Sequence, residues 1–154
     1  MDRLDGYFKL FINGAPLGVI DGKLFALLSE QDQRQAEVWQ IVPDERTGRN
    51  AVIIRASDGL SGWVVPKPGE RRQIEIAPLI STKSLPPVFP ANQVFFAKPL
   101  VMDTLGAFAV RSAADDQLVG RRFIENRSLL PKEVVSDTDD EHAFVVAVPV
   151  DEAE

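Results

Sequence analysis

The chain has 154 residues, 45% apolar and 26% charged, which suits a single domain with one substantial core. Its formal charge of −6 argues against nonspecific nucleic-acid binding, which runs on phosphate neutralisation. It has no cysteine, which excludes disulfides, thiol nucleophiles and thiolate metal sites.

No apolar run approaches the roughly 20 residues that cross a bilayer, and the acidic start Asp2-Arg3-Leu4-Asp5 lacks a signal-peptide core. A cytoplasmic location and no membrane partner are therefore expected. The single histidine, His142, follows Asp137, Asp139, Asp140 and Glu141. A metal site would need more nitrogen or sulfur ligands, and a catalytic triad would need that imidazole beside a nucleophile. It reads as a surface histidine in a solvated acidic loop. No phosphate-binding loop, nucleophile elbow or paired-histidine zinc motif occurs. The chain is therefore read as a non-enzyme without metal or cofactor.

In chain order, short β-rich runs alternate with turn residues, the pattern of an all-β sandwich or barrel. Tyr7 to Ile12 ends on Asn13-Gly14, a strong two-residue hairpin signal. Leu24 to Leu28 is the second run, and Gln31 to Gln35 after it reads as a solvated turn. Val38 to Val42 stops at Pro43, Ala51 to Arg55 precedes Asp58-Gly59, and Gly62 to Val65 stops at Pro66. Ile74 to Ile80 alternates in part. Ser84-Leu85-Pro86-Pro87-Val88-Phe89-Pro90 cannot be a central strand, because proline donates no ladder hydrogen bond, so it reads as an extended, ordered loop. Val94 to Phe96, Phe108 to Arg111, Leu118 to Gly120, Glu133 to Val135 and Phe144 to Val148 complete the runs.

A weak internal repeat runs through these segments. Gly18, Gly62 and Gly120 recur after opening strands, and Trp39, Phe95 and Phe144 close the units inside β-runs. Three units of roughly 50 residues, each with about four strands, predict a threefold barrel capped by hairpins. Trp39, Trp63, Phe95 and Phe144 are expected to fill the barrel rather than form a ligand platform.

Two stretches carry a family resemblance. The first is Val38-Trp39-Gln40-Ile41, Asn50 to Ile54, Asp58-Gly59 and Gly62 to Pro66, continuing through Pro86 to Phe95. The second is Val119-Gly120-Arg121-Arg122 and Glu125-Asn126-Arg127-Ser128-Leu129-Leu130-Pro131-Lys132. Together they resemble the mushroom β-trefoil serine-protease inhibitors, the cospin-like family, fold relatives of the mycocypin inhibitors of cysteine proteases. The resemblance implies a β-trefoil over residues 1–154 that inhibits a trypsin-type serine protease, as a monomer. In that family the segment resembling Gly120 to Lys132 lies near the N-terminus, whereas here it lies near the C-terminus. Residues 1–101 resemble the family's C-terminal two thirds and residues 102–154 its N-terminal third. A circular permutation is therefore expected, with old termini joined near Val101-Met102 and new ones opened in an acidic surface loop, which exposed loops tolerate. An engineered permutation is favoured over natural divergence of the repeat order.

The segment from Gly120 to Lys132 collects Arg121, Arg122, Arg127 and Lys132 in an acidic protein. A substrate-like inhibitor offers a loop shaped before binding, which lowers the ordering cost of association. Trypsin-like pockets hold a buried carboxylate, so Arg127 is the anchor that charge alone suggests. The resemblance implies its neighbour Asn126, reaching the pocket through hydrogen bonds or water, with Glu125 and Ser128 holding the flanks. Two other readings remain. A cysteine-protease inhibitor of the mycocypin kind would wedge through Asn13-Gly14-Ala15-Pro16 or Pro86-Pro87. A carbohydrate-binding β-trefoil is disfavoured, because no Gln-x-Trp tripeptide occurs and the aromatics sit in strand-like runs.

Overall fold

Alternation of apolar and polar residues decides the strands. In β1 (Gly6–Ile12), Phe8, Leu10 and Ile12 are buried while Lys9 between them is exposed, the period of two that a half-buried strand requires. The computed structural model describes residues 4–100, 106–122 and 130–150, and within them the same logic yields twelve strands. Asn13 (φ 51°) and Gly14 (φ 78°) form the predicted tight turn into β2 (Ala15–Ile20), with Ile12 paired to Ala15 across it. Asp21-Gly22 repeats that geometry into β3 (Lys23–Ala26).

Six strands close a ring. β1 pairs with β4 (Trp39–Pro43), β4 with β5 (Ala51–Arg55), and β5 with β8 (Phe95–Pro99). β8 pairs with β9 (Ala107–Ser112), β9 with β12 (Val145–Pro149), and β12 returns to β1, every pair antiparallel. Closure removes the open edges that an antiparallel sheet would otherwise expose. Three hairpins cap the ring: β2 with β3, β6 (Ser61–Val64) with β7 (Glu75–Pro78), and β10 (Gly120–Arg121) with β11 (Lys132–Val135). The hairpins interlock through Lys23 opposite Glu75, Lys132 opposite Ala26, and a bridge between Gln73 and Val135. A six-strand barrel under three hairpins is the β-trefoil expected from the repeat.

The core lies where barrel and cap meet. Trp39, Trp63 and Phe95 are fully buried, with ring centroids 5.7 Å apart in each contact and planes near perpendicular. Edge-to-face packing of this kind adds about 0.5–1.5 kcal/mol per pair beyond area burial. Phe144 departs from expectation: it is 36% exposed and precedes β12, where Val145 takes the inward position. The run from Gln31 to Gln35 also differs. Glu30–Gln33 form one helical turn, α1, capped by the Ser29 hydroxyl, which accepts the Asp32 N–H at 3.0 Å.

β5 is buried on both faces. Val52 and Ile54 face the barrel interior, while Ala51 and Ile53 form a second apolar cluster with Val94 outside it. Leu79, Phe89 and Phe96 pack against that cluster, so the connection from β7 to β8 lies over the barrel wall.

Candidate protease-binding site

The segment from Gly120 to Lys132 connects the strands of the third cap hairpin. Glu125, Asn126, Arg127 and Ser128 lie outside the described residues, so the site is built from its two flanks.

The outgoing flank is tied down residue by residue. Val119 N–H donates to the Val110 carbonyl at 2.8 Å, and Gly120 pairs with Val135. Arg121 pairs with Val134, and its carbonyl accepts the Thr138 hydroxyl at 3.1 Å. Thr138 is itself buried, and its hydroxyl also accepts the Asp140 N–H at 3.2 Å. Arg122 N–H then donates to the Glu133 carbonyl at 2.8 Å, and the Arg122 guanidinium meets the Glu133 carboxylate at 3.3 Å.

The returning flank is held from the other side. Lys132 and Glu133 pair with Ala26 and Phe25 of β3, and Val134 accepts the Ile74 N–H at 2.9 Å. Ser136 N–H donates to the Arg72 carbonyl at 3.0 Å. Leu130, between these anchors and the undescribed residues, is 69% exposed. The flanks therefore leave and re-enter the cap at fixed points, on the two paired strands of one hairpin.

The basic character seen in the sequence divides in three dimensions. Lys132 is 6% exposed, so its stem belongs to the cap interior and not to a cationic surface. Arg122 is partnered by Glu133. Arg121 lines a cleft of about 420 Å³ with Asn13, Asp139, Asp140, Glu141 and His142. His142 is exposed, as expected, with its backbone N–H donating to the Asp140 carboxylate at 3.1 Å. No group of three or more histidine or carboxylate side chains among the described residues could hold a metal.

The alternative wedge segments lie apart. The Asn13-Gly14 turn borders the Arg121 cleft, whereas Pro86-Pro87 belongs to the β7–β8 connection. Thr138 is a supporting residue that sequence reasoning missed, since its bond to Arg121 spans a turn and a strand boundary. The recurrence of Gly120 was the available signal. A Cβ there would stand 2.7 Å from Ala143 Cβ and 3.0 Å from the Thr138 methyl, which marks the close approach of these two segments.

Comparison with known proteins agrees with this architecture. The fold is similar to a cytolethal distending toxin chain from Actinobacillus actinomycetemcomitans, with TM-score 0.65, 20% identity, 97% of this chain and 95% of that chain covered. It is also similar to the designed threefold-symmetric protein ThreeFoil, with TM-score 0.61, 16% identity, 95% of this chain and 100% of that chain covered. At these identities the likeness establishes the fold alone. A serine protease inhibitor from Lentinula edodes is 51% identical over 83 residues, 53% of this chain and 55% of the relative. The chain thus aligns with about half the length of that curated relative. Residues 1–99 match the family described as peptidase inhibitor I66. With most of its length inside that match and the barrel-and-cap architecture around it, the chain belongs to the I66 family of peptidase inhibitors and is not an enzyme.

Proposed function

We propose that the protein inhibits a trypsin-type serine protease through the loop between Gly120 and Lys132, with Asn126 entering the specificity pocket. The supporting observation is the double anchoring of that loop. Arg122 and Glu133 close it with a backbone bond of 2.8 Å, Thr138 braces the outgoing strand, and β3 braces the returning one. A loop whose ends cannot drift loses less entropy when it docks. The Lentinula edodes relative, described as a serine protease inhibitor, supports the protease class. Glu125 and Ser128 flank the anchor in this reading, and Arg127 follows it.

The test is titration of trypsin with the wild-type protein and with Asn126→Ala. Wild type inhibits, and the variant weakens inhibition at least tenfold, about 1.4 kcal/mol. Inhibition unchanged by Asn126→Ala but lost with Arg127→Ala transfers the anchor to the arginine. Inhibition of papain and not trypsin removes the serine-protease reading.

The order of segments belongs to the same proposal. A trefoil has three equivalent links between neighbouring barrel strands. Here two of them join β4 to β5 and β8 to β9, and the third position lies at the β12–β1 pair. Val150 N–H donates to the Tyr7 carbonyl at 2.9 Å, so the two ends of the described chain lie side by side. A permutation that moves the opening from one link to another leaves every strand pair in place, and it leaves the Gly120–Lys132 loop internal.

A further inference from the structure

The connection from β7 to β8 is stiff, protruding and tipped with a solvent-borne leucine. Its base is fixed by Gln93, 3% exposed, whose side-chain carbonyl accepts the Ile80 N–H at 3.1 Å. Phe89 anchors the returning leg on the Ala51, Ile53 and Val94 cluster. Between these points the legs bond to each other: Thr82 N–H donates to the Val88 carbonyl at 3.0 Å, and Val88 N–H donates to the Thr82 hydroxyl at 2.9 Å. The tip is braced again, since the Ser84 hydroxyl lies 2.6 Å from that of Thr82 and 3.0 Å from the Pro86 carbonyl. Pro86, Pro87 and Pro90 each restrict φ to one region.

At the summit, Leu85 is 93% exposed, more than any other large apolar side chain among the described residues. Ile80 and Leu60 stand exposed at the loop's foot, at 66% and 76%. Scattered apolar residues on a surface are ordinary. A leucine held in water on a loop with this much internal bracing is different, because the bonds among Thr82, Ser84, Pro86 and Val88 join only residues of the loop to each other.

We propose that this loop is a second peptidase-contacting head, in which Leu85 plugs the apolar side-chain pocket of a chymotrypsin-like serine peptidase. The idea rests on the inhibitory reading above and adds a second specificity to it. The chemistry is that of a plug, with no bond broken. The residue after Leu85 is Pro86, whose tertiary amide nitrogen has no N–H to align in a peptidase cleft, so the tip fills the pocket without becoming a substrate. Because the loop is already shaped, its docking immobilises few rotors beyond Leu85 itself. The pocket that fits is uncharged and sized for a branched aliphatic chain. It is not the carboxylate-bearing pocket that would take Asn126 or Arg127.

The experiment titrates chymotrypsin and trypsin separately with the full protein and with Leu85→Asp. Wild type is expected to inhibit chymotrypsin, and Leu85→Asp to lose at least tenfold against it while trypsin inhibition stays within twofold. Leu85 makes no buried contact, so the variant's thermal melt should superimpose on the wild type. Three results would overturn the second head: wild type leaving chymotrypsin active, Leu85→Asp inhibiting it fully, or Leu85→Asp weakening both enzymes equally. A cut after Lys83 by trypsin, with inhibition of trypsin lost in Lys83→Ala, would overturn it too and make the loop a lysine-directed site. If trypsin remains uninhibited while chymotrypsin inhibition depends on Leu85, the proposal for the Gly120–Lys132 loop fails alone.

Discussion

The second and third cap hairpins occupy equivalent places under the barrel and solve different problems. Their connecting segments are of equal length, yet β6 and β7 share four residue pairs where β10 and β11 share two. In the second hairpin, the residue after Gly62 is Trp63, fully buried, and its connection begins and ends on Val65 and Ile74, both at 0% exposure. In the third, the residue after Gly120 is Arg121, facing a polar cleft, and the connection ends past an exposed Leu130. One hairpin puts its side chains into the core. The other takes its footing from the cap, and in the proposed inhibitory reading its connection is what meets the peptidase. In that reading, one unit of the threefold frame carries function while another carries stability.

The sharpest way to break this contrast is at the paired glycines. An alanine Cβ at Gly62 would overlap the backbone carbonyl oxygen of Ile54 and sit 2.9 Å from Leu79 Cδ1. The backbone of β5 is locked between β4 and β8 and cannot retreat. Gly62→Ala should therefore destabilise by roughly 3 kcal/mol, at the upper end of overpacking costs. Urea denaturation measures it, and inhibition per folded molecule should be retained. A loss below about 1 kcal/mol would mean that the second hairpin is no more rigid than the third.

A smaller effect with the opposite signature is expected at Thr138. Replacing it with valine keeps the volume near Gly120 but removes the hydroxyl that donates to Arg121 and accepts from Asp140. Leaving those half-buried partners unpaired should cost about 1 kcal/mol. Trypsin inhibition should fall several-fold in addition, measured on protein that is fully folded at the assay temperature. Equal loss of stability with unchanged inhibition would show that the outgoing strand does not position the loop.

Why some features could be read from sequence and others could not follows from their range. Asn13-Gly14 acts locally, so the first hairpin follows from it, whereas Pro43 closes β4 as its last paired residue rather than standing outside it. The recurrence of Gly18, Gly62 and Gly120 was visible because each marks the same close approach; a Cβ at Gly18 would also meet its neighbours, 2.6 Å from Leu27 Cδ1. The face of Phe144 was not legible. It starts an unbroken apolar run, Phe144 to Val148, and in such a run alternation offers no choice between inside and outside. Lys132 misled for a different reason: charge predicts a surface, but Lys132 sits in β11 opposite Ala26 of β3 and is buried there. The bracing by Thr138 joins residues distant in sequence, which no local pattern encodes. The exposed summit at Leu85 was legible only as a proline-rich loop, since its internal bonds depend on two legs folding back together.

The smallest expected effect lies at the mouth of the third hairpin. Arg122 and Glu133 are 55% and 39% exposed, so their 3.3 Å ion pair should be worth only about 0.2–1 kcal/mol of stability. Their backbone bond persists when either side chain is truncated, and the ladder stays closed. What the pair can still do is hold the strand residues at the loop's two ends in one orientation. A double-mutant cycle of Arg122→Ala and Glu133→Ala, read in trypsin inhibition, isolates that contribution. A coupling of about two- to threefold that shrinks in high salt is expected, because screening acts strongly on exposed charges. Strict additivity at low salt would assign the loop's orientation to the backbone alone, and the third hairpin would then need no side chain beyond Thr138 to hold its loop.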